Sequence, residues 1–139
     1  MANAISRFQL VLKKRIEKNG FDRVFEKLKV ISAGATSCTC EMLICKEHEN
    51  INGLLHGGMT ASLVDVVSTL ILASSEKQVT GASVNMNISF LRPIKSGEEI
   101  LIEAKLLQVG KTLAYSTVDI KNKKTAKLIA TAHHTKYVG

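Results

Sequence analysis

His56-Gly57-Gly58 stands directly before an apolar run that holds a single acid, Asp65. Two glycines at a helix start let a ligand approach the backbone closely. The free N–H groups there, backed by the positive end of the helix dipole, suit a carbonyl oxygen that becomes an oxyanion. His-Gly-Gly alone is a weak motif, equally explained by an N-terminal turn shaped for packing. Asp65 sharpens it, because it lies between Leu63-Val64 and Val66-Val67, in a helix expected to be buried. An unpaired carboxylate is costly there, and such surroundings suit a general base; a solvent-facing or paired structural acid is the plain alternative. Gly57 and Asp65 are roughly 12 Å apart along one helix axis at ~1.5 Å per residue. An oxyanion donor and a base must each come within about 3 Å of their reacting atoms. One helix therefore cannot supply both to one reaction. Two antiparallel copies put Gly57 of one opposite Asp65 of the other, which predicts a dimer with two composite sites.

The elements around these residues are legible from periodicity. Phe8, Val11, Leu12 and Ile16 recur at helical spacing within 1–19, an N-terminal amphipathic helix that Asn19-Gly20 ends. Its basic residues, Arg7, Lys13, Lys14, Arg15 and Lys18, also give it the look of a mitochondrial transit peptide; packing on the domain is the preferred reading. Lys29 to Ala33 and Ser37 to Cys45 read as strands, and Lys46 to Leu55 as a polar loop. Gly57 to Ser74 is too long for a strand and apolar nearly all round, hence a buried helix. Four strands follow, Gly81–Leu91, Glu99–Val109, Thr112–Lys121 and Lys127–Tyr137, expected as a meander. The sum is a single α+β domain over 1–139, with one sheet on one side of the long helix. A second subunit is the simplest cover for the rest of that helix.

Composition narrows the function classes. The 139 residues are 45% hydrophobic and 22% charged, the profile of a globular domain, and no stretch of 18 apolar residues predicts a transmembrane span. The net charge of +7 favours polyanions. Nucleic acid is disfavoured, since four Phe, two Tyr and no Trp provide no stacking platform. Cys38, Cys40 and Cys45 read as small buried thiols; a zinc site lacks a fourth ligand at a plausible spacing. Neither G-x-S-x-G nor a nucleotide-binding glycine motif occurs.

Asn50-Ile51-Asn52-Gly53-Leu54-Leu55-His56-Gly57-Gly58, then Asp65, then Ser83-Val84-Asn85-Met86-Asn87, then Gly110-Lys111-Thr112, together resemble the hotdog-fold acyl-CoA thioesterases over nearly the whole chain. The resemblance implies a long central helix wrapped by a curved antiparallel sheet, paired into dimers and then a tetramer. It implies that Asn50 and the Gly57 N–H polarise the thioester oxygen and that His56 shapes their pocket. Asp65 of the facing subunit would activate water or attack directly, and Ser83 would help position the water. Arg92, Gly110, Lys111, Thr112 and His134 become candidates for the coenzyme A moiety, whose phosphates account for the positive charge. Phe90 stands where the family often has Tyr, which removes a hydroxyl.

The expected activity is hydrolysis of medium- to long-chain fatty acyl-CoA to fatty acid and coenzyme A, in the cytoplasm or mitochondrion. No separate cofactor and no metal is expected, since coenzyme A is part of the substrate. A non-catalytic acyl-CoA or lipid-binding module on the same fold is the alternative.

Overall fold

A computed structural model describes residues 3–75 and 78–139. Helix α1 (Ala4–Glu17) opens with Asn3, whose side chain accepts the Ser6 N–H, and seats Phe8 and Leu12 in the core. Each such burial contributes about 2–3 kcal/mol. The basic segment at the N-terminus is thus a packed helix, with Arg15 tied to Asp22 at 2.8 Å. Strands β1 (Lys29–Ala33) and β2 (Ser37–Leu43) form a hairpin. Helix α2 (Gly57–Ala73) follows, then β3 (Ala82–Phe90), β4 (Glu99–Val109), β5 (Leu113–Asn122) and β6 (Leu128–Tyr137).

These strands make one antiparallel six-stranded sheet in the order β1-β2-β4-β5-β6-β3, curved around α2. The α+β expectation holds, but the strands after α2 are not one meander. Only β4-β5-β6 run consecutively, and β3 sits at the far edge beside β6. The reason lies in residues 91–98. The Leu91 and Arg92 N–H groups both donate to Ile129 O, and the Leu55 N–H donates to Ile94 O. This segment therefore runs across the end of the sheet and delivers the chain to its centre.

Alternation puts Cys38, Cys40 and Met42 of β2, Ile100, Ile102 and Ala104 of β4, and Val118 and Ile120 of β5 beneath α2. Leu63, Val64, Val67 and Leu70 cover them from the helix side, all essentially inaccessible. Cys38 and Cys40 are the buried thiols expected, with sulfurs 3.7 Å apart.

Two exposed surfaces flank these elements. Along α2, Gly57 and Gly58 are exposed and Ala61, Ser62 and Asp65 are half-buried, a stripe one helix face wide. On β3, Val84 and Phe90 are 59% and 61% exposed although their alternation marks a buried strand. Its outer edge pairs with no strand among the described residues. Among the described residues, no helix is long and apolar enough to cross a membrane.

Candidate active site

The start of α2 is built by its own cap. His56 Nδ1 accepts the Gly58 N–H at 2.7 Å, and His56 O accepts the Thr60 N–H. A Cβ at Gly58 would lie 3.0 Å from His56 Nδ1, so glycine there leaves room for the imidazole. Gly57 differs. A Cβ on it would meet only Phe90 Cε1 at 3.7 Å, an ordinary contact. No acceptor among the described residues takes the Gly57 N–H.

Asn50 is locked in the preceding turn. Its Oδ1 accepts the Asn52 and Leu54 N–H groups at 2.8 and 3.1 Å, and its own N–H donates to Leu54 O. Two donors on Oδ1 fix the amide's orientation and leave the NH2 end to donate outward. Asn50 and Gly57 wall one cavity of about 280 Å³ with Thr60, Phe90, Arg92 and Ile129. Asp65, Ser83 and His134 are not on its wall.

Those three residues meet elsewhere, between the middle of α2 and the β3–β6 pair. Asp65 is half-buried on the uncovered stripe, not enclosed as expected, because nothing among the described residues packs over that face. The Thr69 hydroxyl reaches its Oδ1 at 3.4 Å. Lys136, buried on β6, donates to Thr69 Oγ1 at 2.5 Å. His134, two residues earlier on the same inward face, is bracketed by Ser68 Oγ at Nδ1 and Ser83 Oγ at Nε2, each 2.8 Å away. The Ser68 hydroxyl donates to Val64 O at 2.8 Å. With that proton on Val64 O, Nδ1–H donates to Ser68 and Nε2 accepts from Ser83; the other tautomer reverses both histidine bonds. Burial above all pulls His134 below the ordinary histidine range; Asp65 opposes it, and the neighbouring Lys136 adds a smaller push downward.

This corrects the expectation for His134. At 1% exposure between two serines it contacts no phosphate from solvent. Ser68, Thr69 and Lys136, absent from the sequence-level site, are part of the cluster. Ser68 and Thr69 lie three and four residues after Asp65, hence on its helix face, and Lys136 shares the strand face of His134; both signals were available.

The remaining candidates divide between two ends of the sheet. Arg92 donates from Nη1 to Leu128 O at the start of β6. Gly110, Lys111 and Thr112 form the β4–β5 turn beside the end of β6, where Leu113 pairs with Tyr137. The Gly110 N–H is taken by Leu113 O and Thr112 O by the Val138 N–H, while Lys111 is exposed. Leu128 to Tyr137 spans about 30 Å at ~3.3 Å per residue. Within one chain, Arg92 and Lys111 therefore do not converge.

A cluster of Cys45, Glu47 and His48 lies close enough to suggest a metal. His48 has no lone pair to offer: Nδ1 accepts the Cys45 N–H and Nε2 donates to Val24 O. It anchors the loop before α2 to the segment after α1.

The description of the Thioesterase superfamily matches residues 52–129, more than half of the chain. The mouse acyl-coenzyme A thioesterase 13 is 46% identical over 139 residues, covering 100% of this chain and 99% of the relative. The human acyl-coenzyme A thioesterase 13 is 46% identical over 129 residues, 93% of this chain and 92% of the relative. The crystal structure of zebrafish thioesterase superfamily member 2 superimposes with a TM-score of 0.94 at 43% identity, over 99% of this chain and all of that one.

Proposed function

Since this chain belongs to the thioesterase superfamily, we propose that it hydrolyses medium- to long-chain fatty acyl-CoA to fatty acid and coenzyme A. The observation that carries the reading is the cavity in which the unpartnered Gly57 N–H stands beside the fixed amide of Asn50. Two such donors suit a thioester oxygen whose charge grows in the transition state. Space for a Cβ at Gly57 supports it too: glycine at this position answers to what approaches from outside the chain.

Asp65 is the general base toward water in this proposal, and Ser83 orients that water. Both act on the thioester held by another copy, because Asp65 is off the cavity wall and eight residues along the helix. The exposed α2 stripe and the open β3 edge are the surfaces available to pair two copies. Antiparallel pairing also answers the separation of Arg92 and Lys111: the Arg92 end of one chain comes to the Lys111 end of the other, so that one coenzyme A meets both. A further pairing into a tetramer and a cytoplasmic or mitochondrial setting belong to the same proposal.

The test is coenzyme A release, followed by thiol trapping over a series of acyl chain lengths, from the parent protein and from Asp65→Asn. Loss of a general base lowers kcat by about 10²–10⁴-fold. Turnover is expected to fall by at least about a hundredfold, with the oligomer and the melting temperature retained. Asp65→Asn at parental rate would overturn the assignment of Asp65. A parent that binds acyl-CoA and releases no coenzyme A would make this a binding module.

A further inference from the structure

One cation in the cluster around Asp65 has no task in the mechanism above. Lys136 is 4% exposed, and its Nζ donates to Thr69 Oγ1, which in turn reaches Asp65 Oδ1. An ammonium carries donors only, so the threonine oxygen must accept from it and send its single proton elsewhere. Asp65 Oδ1 is the acceptor within reach. Without that constraint, a threonine hydroxyl inside a helix is free to turn back to the carbonyl four residues earlier, which here is Asp65 O. The ammonium thus turns the Thr69 proton away from its own side, and the hydrogen bond that the geometry gives runs to Asp65 Oδ1.

We propose that Lys136 is a positioning residue for thioester hydrolysis: through Thr69 it holds the Asp65 carboxylate by Oδ1 and leaves Oδ2 for the attacking water. The inference rests on the reading of Asp65 as the base. The groups facing Lys136 and Asp65 are Ser68 and Thr69 from α2, His134 from β6, Ser83 from β3, and Arg15 from α1 as a more distant cation. Burial lowers the lysine's affinity for its proton and Asp65 restores part of it, as expected for a cation kept inside by that carboxylate. An apolar chain of similar volume avoids the desolvation of a buried ammonium, and Asp65, only half-buried, keeps water as a partner once the ammonium is gone. The position therefore separates function from folding.

The experiment compares Lys136→Met, Thr69→Val, their double variant, Thr69→Ser and Asp65→Asn in steady-state acyl-CoA hydrolysis, with a thermal melt of each. A misplaced reacting group costs roughly ten- to a hundredfold. Lys136→Met and Thr69→Val should each lose about tenfold in kcat with KM within about twofold. The double variant should lose no more than the worse single, because both act through one hydroxyl. Thr69→Ser should stay within about twofold of the parent, and Lys136→Met should still fold and unfold cooperatively. An inactive Asp65→Asn beside a fully active Lys136→Met would overturn this inference and leave the base assignment standing. An active Asp65→Asn would overturn both. If Lys136→Met does not fold, a fully active Thr69→Val overturns the relay and an impaired Thr69→Val rescued by serine supports it.

Discussion

His134 is closed in by a helix and two strands, and its protonation is coupled to folding. Its folded pKa lies below the ordinary value of 6.5, so between the two values the unfolded chain binds the extra proton. The stability contributed by the neutral ring is complete above pH 6.5 and is lost as pH falls from there toward the folded value. The melting temperature of the parent should therefore drop between about pH 7 and pH 5, and the drop should be shallower in His134→Gln. Equal slopes in the two proteins would show that the ring is not the titrating group. The sequence marks Asp65 by its place in an apolar helix, whereas Ser83 is a candidate only through the family resemblance. It misjudged His134 because a histidine's type suits phosphate as well as a buried hydrogen-bond chain. Only the strand's period of two separates those roles, by putting Ala130, Ala132, His134 and Lys136 on the inward face.

At the level of elements, the periodic signals read correctly and the neighbours did not. The helical spacing of Phe8 and Leu12 found a packed α1, and the length of Gly57–Ser74 found α2. The alternation of Val84, Met86, Ile88 and Phe90 found β3, yet pattern carries no information about which strand lies beside it. The partner is β6, more than forty residues later, because the Ile129 carbonyl ties down residues 91 and 92. An apolar edge strand with unpaired backbone groups is a template for another strand, and a closed twofold contact buries the same patch of both copies. Val84→Glu should accordingly put an unpaired charge on both sides of such a contact and shift the sedimenting mass toward that of one chain. Coenzyme A release should fall with it, although Asn50, Gly57 and Asp65 are untouched. A variant that stays assembled and active would remove β3 from the interface.

For the whole molecule, the decisive separation is between the cavity at the start of α2 and the polar cluster around Asp65. That Gly57 and Asp65 stand eight positions apart can be counted in the sequence; that Asp65 is off the wall of the cavity takes the coordinates. The separation has a consequence for mixtures. Asp65→Asn and Asn50→Ala are each expected to be impaired as pure assemblies. Co-expressed, they should form mixed pairs in which one site bears both lesions and the other bears neither. Random pairing makes half of the dimers mixed, so activity should recover to about a quarter of the parent. Two crippled alleles would thus complement one another within a single assembly, whereas a site contained in one chain would leave the mixture as inactive as the average of its parts.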